Sequence, residues 1–252
     1  MGRVYCSSDW HGCAKPAKKL LNYLNPDDVL FFLGDAADRG PDGKELLDLL
    51  LNDPRVRFIQ GNHEDFFVRG ATSMTVDPYH VDDLWLYSNG GEVTWRKFLP
   101  LGTKEIENYI QKLKNLPLHL MYKSPKGHKV ILDHSGFTPD EKGNPLYKYE
   151  PLWDREHFYD DWGGGDNLYL VHGHTPVQYL KYDYSYKDRP ALTEEEVLDK
   201  RQFLYGEDYG IKLAPEVIRY CDGHKFDIDL CTIVSGRVAL LDLDTFNVKY
   251  FE

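Results

Sequence analysis

Apolar residues along this chain fall into two rhythms. Short runs at Val4-Tyr5-Cys6, Val29 to Leu33 and Val56 to Ile59 read as buried strands. Between them leucines recur at helical spacing: Leu20, Leu21 and Leu24 follow Pro16, and Leu46 to Leu51 follow Asp42, where Glu45 completes a capping-box pattern. Residues 3 to 60 therefore predict a βαβαβ unit on a parallel sheet. Each apolar run closes on a polar string. These are Asp9-Trp10-His11-Gly12, then Gly34-Asp35-Ala36-Ala37-Asp38-Arg39-Gly40, then Gly61-Asn62-His63-Glu64.

From Asp65 the pattern changes. Phe66, Phe67, Trp85, Leu86, Tyr87, Trp95 and Phe98 alternate with polar residues, Asn89-Gly90-Gly91 marks a turn, and Ile106, Ile110 and Leu113 line one face of a helix opening at Thr103. Residues 65–125 read as a mainly helical insertion beside the loop mouth, its aromatics mostly core and the rest flooring a substrate groove. Strand pattern resumes at Lys129 to Asp133, ending in His134-Ser135-Gly136, and at Leu168 to Val171, ending in His172-Gly173-His174-Thr175-Pro176. Leu152-Trp153-Asp154-Arg155 lies between. Residues 179–224 form a variable segment, read as a surface loop and helix, with Tyr179, Tyr182, Tyr184 and Tyr186 ahead of a capping box at Thr193 to Glu196. The tail, Phe226 to Val234, Arg237 to Leu243 and Asn247 to Phe251, predicts an antiparallel meander. The expected fold is α/β, one domain over residues 1–252, with a second sheet packed on the first.

Composition narrows the function classes. The 252 residues are 42% hydrophobic and 28% charged, as in ordinary globular domains, and the net charge is −11. That charge argues against nucleic acid or an anionic membrane as a partner, so a phosphate substrate must be attracted locally by metals and arginines. No apolar run approaches the ~20 residues of a membrane span, and the first strand begins by Arg3, leaving no room for a signal peptide. The expected location is cytoplasmic. Cys6, Cys13, Cys221 and Cys231 lack paired spacing and read as reduced, with Cys6 and Cys231 in strands.

In open α/β sheets, the loops beyond the carboxyl ends of parallel strands converge. Asp9, His11, Asp35, Asn62, His134 and His174 would then crowd together, and such a crowd needs cations to neutralise it. Asp35 can bridge two ions, with Asp9 and His11 completing one site and Asn62, His134 and His174 the other; His172 is the less favoured rival of His174. Mixed nitrogen and oxygen ligation suits Mn²⁺, Fe, Zn²⁺ or Co²⁺ better than Ca²⁺. Two ions ~3.5–4 Å apart clamp a phosphoryl group and turn a bridging water into hydroxide at neutral pH, which predicts phosphoester hydrolysis. His63 is placed to protonate the leaving alkoxide, Asp38 to orient His63, Arg39 and Arg155 to hold phosphate oxygens, and Glu64 to support the loop. His80, His119, His128, His157 and His224 lack a motif and read as structural.

These strings resemble the phosphoprotein phosphatases within the calcineurin-like metallophosphoesterases. D-x-H-G, G-D-x-x-D-R-G and G-N-H-E match at Asp9 to Gly12, Gly34 to Gly40 and Gly61 to Glu64, and the later histidine motifs match at His134-Ser135-Gly136 and His174-Thr175-Pro176. The stretch from Trp85 to Thr94 is similar to the bacterial and phage branch that includes lambda phosphatase. The resemblance implies a two-sheet β-sandwich flanked by helices and a dinuclear centre, most often Mn²⁺, with direct attack by metal-bound hydroxide. It assigns Asp9, His11, Asp35, Asn62, His134 and His174 as ligands, His63 as general acid with Asp38 as its partner, and Arg39 and Arg155 as phosphate contacts. The expected substrate is a phosphoprotein, phosphopeptide or small phosphoester. Gln60 stands where protein phosphatases usually carry an arginine, and dinucleoside tetraphosphatases tolerate other residues there. Two activities stay open: serine/threonine protein phosphatase, and symmetrical dinucleoside polyphosphate hydrolase. The intact ligand set and His63 argue against a binding module with a dead centre.

Overall fold

The computed structural model describes residues 2–77, 80, 82–182, 193–205 and 214–252. Its first part alternates as the apolar runs predict: β1 (Val4–Ser7), α1 (Ala14–Tyr23), β2 (Val29–Phe32), α2 (Gly43–Asn52), β3 (Val56–Phe58) and α3 (Asn62–Val76). β1, β2 and β3 run parallel, with Tyr5 opposite Leu30 and Leu30 opposite Val56. A π-helical turn at Leu84–Ser88, α4 (Glu92–Phe98) and α5 (Thr103–Lys114) follow, then β4 (His119–Lys123), β5 (Lys129–Asp133), and the short pair β6 (Thr138–Pro139) and β7 (Pro145–Leu146). After a 3₁₀ turn at Glu156–Tyr159 come β8 (Leu168–His172), α6 (Val177–Tyr182), α7 (Glu194–Tyr205), β9 (Ile218–Tyr220), β10 (Lys225–Asp227), α8 (Thr232–Ser235), β11 (Val238–Asp242) and β12 (Val248–Phe251).

The strands form two mixed five-stranded sheets. The first has the order β12-β11-β1-β2-β3 and the second β4-β5-β8-β10-β9. Cys6, Leu33, Ile59 and Leu241 meet Val130, Leu132, Val171 and Phe226 between the sheets, so burial of apolar surface holds them face to face. The other face of the first sheet carries the helices: Tyr5, Leu30, Phe32 and Phe58 pack with Leu20 of α1, Leu46 and Leu47 of α2, and Phe67, Trp85 and Phe98 beyond. Phe137, Tyr147 and Trp162 cover Ile131 and Leu170 on the outside of the second sheet.

The structure corrects four sequence readings. The C-terminal meander is not formed: β10 pairs parallel with β8 in the second sheet, while β11 and β12 form a hairpin on β1 in the first. The chain leaves the strand because Asp227 accepts the Asp229 N–H at 3.1 Å and Asp229 accepts the Cys231 N–H at 2.8 Å, side-chain bonds that compete with a ladder. Cys231 therefore sits before α8 with a left-handed backbone rather than in a strand. Asp42 makes no side-chain cap on α2; Glu45 instead reaches Lys18 at 2.5 Å, and the Asp42 N–H is held by the Gly12 carbonyl at 3.0 Å. β4 lies within the range read as mainly helical, its half-buried edge position hiding the strand signal. The capping box at Thr193 and Glu196 does form, with the two residues exchanging bonds of 2.9 and 3.2 Å. Tyr184 and Tyr186 of the tyrosine run lie outside the described residues.

Candidate active site

Every string that closes an apolar run arrives at the same edge of the sandwich. Loop 8–13 follows β1, loop 33–42 follows β2, residues 59–61 lead from β3 into α3, and His134 and His174 follow β5 and β8. The loops are bonded to one another through their backbones. Asp9, His11 and Gly12 donate N–H groups to the carbonyls of Gly34, Asp35 and Ala36 at 2.9–3.1 Å, Gly40 returns one to His11 at 3.0 Å, and Gly173 donates to His134 at 2.9 Å. Gly12 permits this closeness, because a Cβ there would sit 2.4 Å from the Gly40 carbonyl oxygen. Asp9, His11, Asp35, Asp38, Arg39 and His174 all take positive φ, between 40° and 69°. Each such non-glycine residue costs on the order of 1–3 kcal/mol and persists only where its surroundings hold it. Here the cross-loop bonds do so.

Two groups of side chains share Asp35: His11, Asp35 and His63, and Asp35, His134 and His174, with the donor atoms of each group within 4.8 Å of one another. Asn62 joins the second group, its Oδ1 lying 2.8 Å from both His134 Nε2 and His174 Nδ1. Asp9, expected beside His11, belongs to neither group; its carboxylate accepts from the Ser8 hydroxyl and from the His174 N–H at 3.1 Å. Arg39 joins both edges of the first group, with Nη1 3.0 Å from His11 Nε2 and Nη2 3.1 Å from His63 Nε2. Arg155 stands at the exposed rim, where its Nε donates to Thr175 at 3.1 Å. Gln60 is buried beside this cluster, its N–H given to Pro117.

The ring nitrogens decide the charge balance. His134 gives its Nδ1–H to the Leu33 carbonyl at 2.7 Å, and burial lowers its pKa, so the Nε2 lone pair faces Asn62 Oδ1 and Asp35 Oδ1, the latter at 3.4 Å. Those neighbours are acceptors only. His11 gives its Nδ1–H to the Ala37 carbonyl at 3.1 Å and turns Nε2 toward Asp35 Oδ2 at 3.6 Å; burial, with Arg39 and His63, holds it neutral. His174 Nε2 is buried with no partner among the described residues, and burial with His134 and Arg155 lowers its pKa too. Burial opposes the charge on Asp35, yet the surrounding imidazoles of His134, His63 and His11 outweigh it once they take up protons, and hold its pKa below the ordinary range. Neutral imidazoles and one carboxylate aiming lone pairs at shared points form a donor set that fits divalent cations.

His63 is arranged differently. Its Nδ1–H goes to Asp38 Oδ2 at 2.8 Å, and its Nε2 lies 3.9 Å from Asp35. Burial would lower its pKa, but Asp35 and Asp38 outweigh burial and Arg39 and raise it, so this imidazole alone among the four has its pKa raised rather than lowered. Glu64 accepts the N–H groups of Asp35, Ala36 and Gly61 at 2.8–2.9 Å, which fixes the Asp35 loop from behind. Trp85, read from the sequence only as one of several core aromatics, donates its indole N–H to Asp38 Oδ2 at 2.8 Å. Asp229 was also hidden, inside a run read as strand. It is buried, and its charge raises the pKa of Asp9, second only to burial as a cause. A carboxylate interrupting an apolar run was the available signal.

A family model for calcineurin-like phosphoesterases matches residues 2–224. The chain belongs to that family. Among curated relatives of this phosphoesterase, serine/threonine-protein phosphatase 2 of Salmonella typhimurium is 27% identical over 177 residues, covering 68% of this chain and 75% of its own. The asymmetrical bis(5'-nucleosyl)-tetraphosphatase PrpE of Anoxybacillus flavithermus is 28% identical over 202 residues, covering 68% of this chain and 77% of its own. A cold-active protein-tyrosine phosphatase of a Shewanella species matches the fold with a TM-score of 0.54 at 13% identity, covering 100% of this chain and 81% of its own. The sandwich of two mixed sheets with helices is thus that of a phosphoesterase. Among the described residues no helix is long and apolar enough to cross a membrane.

Proposed function

We propose that this phosphoesterase is a phosphomonoester hydrolase dependent on two divalent ions, Mn²⁺ by preference, acting on phosphoserine or phosphothreonine in proteins. The observation that carries the metal dependence is the His134 Nε2 lone pair set against the Asn62 amide oxygen and the Asp35 carboxylate, acceptors meeting acceptors with no proton between, beside a buried His174 Nε2 with no partner among the described residues. In this reading Asp35, His11 and Asp9 would hold one ion, and Asp35, Asn62, His134 and His174 the other. When bound, the ions would supply an activated water and neutralise charge on the phosphoryl oxygens.

The chain's own residues do the rest. Arg39 and the rim Arg155 take the remaining phosphate oxygens, bidentate geometry being what a guanidinium offers. Arg39 now donates to His63 Nε2 at 3.1 Å, which suits neutral His63. A phosphate that draws Arg39 away frees Nε2 to carry a proton, and that proton passes to the leaving oxygen. The reaction so described needs no phosphoenzyme.

A second reading, dinucleoside tetraphosphate hydrolysis, is favoured by the similarity to PrpE and by Gln60 in place of an arginine. A substrate panel separates the two: phosphoserine and phosphothreonine peptides, p-nitrophenyl phosphate and diadenosine tetraphosphate, each with Mn²⁺ and after chelation. The expected result is metal-dependent peptide dephosphorylation. Turnover of the dinucleotide alone would transfer the assignment to the second reading, and full activity after chelation would end both.

A further inference from the structure

The segment from Trp85 to Thr94 grips the Asp38-Arg39 corner at three points. The Trp85 indole N–H donates to Asp38 Oδ2 at 2.8 Å, the Thr94 hydroxyl accepts the Asp38 N–H at 2.8 Å, and the Gly90 carbonyl accepts the Arg39 N–H at 2.9 Å. The gripped residues are consecutive and both left-handed, with φ of 69° and 65°. Trp85 is fully buried, as are Asp38 and His63. Two glycines make room for its indole: a Cβ on Gly70 would meet Trp85 Cε3 at 2.3 Å, and one on Gly91 would meet Nε1 at 2.2 Å. So seated, the N–H meets the very oxygen that receives the His63 Nδ1–H, also at 2.8 Å.

We infer that Trp85 is a positioning residue for proton donation by His63. Its indole N–H pins the Asp38 carboxylate, Asp38 pins the imidazole through Nδ1–H, and Nε2 is left aimed at the leaving oxygen. The inference rests on the proposed role of His63 as proton donor. As water forms the new P–O bond, the ester P–O bond breaks and its electron pair goes to the leaving oxygen. That oxygen takes the Nε2 proton, and the imidazole is left neutral. A group that acts only through this proton matters in proportion to how badly the leaving oxygen needs it. An alkoxide from serine needs it; a dinitrophenolate does not.

The experiment compares phosphoserine peptide with 2,4-dinitrophenyl phosphate on the Mn²⁺-loaded full-length chain, for Trp85→Phe, Gly91→Ala, His63→Asn and the double variants with His63→Asn. Gly91 has an ordinary helical backbone, φ −68°, so alanine suits the backbone there, and its Cβ, 2.2 Å from Nε1, obliges the indole to shift while the tryptophan itself is retained. It therefore carries the test should Trp85→Phe fail to fold by circular dichroism. The expected result is a loss in kcat of about 10-fold on the peptide and under about 2-fold on the dinitrophenyl ester, with no further loss in the His63→Asn background. Equal losses on both substrates, no loss on the peptide, or additive losses with His63→Asn would overturn the inference. If His63→Asn itself shows no leaving-group dependence, the underlying reading of His63 fails; if it does and the Trp85 and Gly91 variants do not, only the role of Trp85 fails.

Discussion

The two sheets contribute unequal halves of the site. Loops of the first sheet deliver Asp9, Asp35, Asp38, Arg39, Asn62 and His63, the charged and proton-carrying groups, and they are bonded backbone to backbone across the mouth. The second sheet delivers His134 and His174, which burial keeps neutral. Beyond the backbone bond from Gly173 to His134, its loops lean on buried side chains. His172 Nε2 meets the Tyr220 hydroxyl at 2.6 Å, His157 Nε2 the Ser135 carbonyl at 2.9 Å, and Lys225 Nζ the His157 carbonyl at 2.7 Å. The contrast separates chemistry from support: substitutions on the first side should change turnover, and those behind the second should change stability.

Asp35→Asn should break the first half most completely, because Asp35 is common to both donor groups. A loss of at least about 10³-fold in kcat is expected, with metal content below that of wild type by elemental analysis. An active, fully loaded variant would mean that the two groups are not joined through this carboxylate. His63→Asn should cost less, about 10²-fold, and leave metal content unchanged. Metal loss there would move His63 from proton donor to ligand, as its place in the His11-Asp35-His63 group permits.

The first half was largely legible in the sequence because its parts are short strings adjoining their strands. Val29 to Leu33 announces a strand, and the Gly34 to Gly40 string directly after it must lie at the strand's carboxyl end. The support behind the second half was not legible. His157 and His172 lie 4.9 Å apart ring to ring, yet nothing in their spacing pairs them with Tyr220 or Lys225, which arrive on later strands. Trp85 failed for another reason: periodicity marks an aromatic as buried but says nothing of where its N–H points. The C-terminal strands were found but misplaced, since pairing partners in mixed sheets depend on turns set by side chains such as Asp227 and Asp229.

Tyr220→Phe tests the second half directly. It removes the hydroxyl that His172 Nε2 faces while His172 Nδ1 stays on the Gly173 carbonyl at 3.1 Å. A buried acceptor left without its donor costs about 1–3 kcal/mol, to be read in urea unfolding, and peptide turnover at saturating Mn²⁺ should change less than about 3-fold. A larger fall in turnover than in stability would place Tyr220 in the chemistry and blur the division between the halves.

The smallest effect is the pH dependence of that support. Burial pushes the His172 pKa down to about 3, against about 6.5 for an unfolded histidine. Its contribution is therefore fully present above about 6.5 and is lost as pH falls toward about 3, because the unfolded chain binds the proton that the folded one refuses. Carboxylates such as Asp229, which burial pushes up to about 7, act in the opposite direction, since the folded chain binds their protons more readily. The two tendencies separate in a difference measurement on chelated protein, wild type against His172→Gln, because the carboxylates are common to both chains. Between pH 7.5 and 5 the stability of wild type should decline relative to the variant, by up to ~1.4 kcal/mol per pH unit below 6.5. Parallel curves would show that His172 accepts a proton in the folded chain, and the support it gives the second half of the site would then not depend on a neutral imidazole.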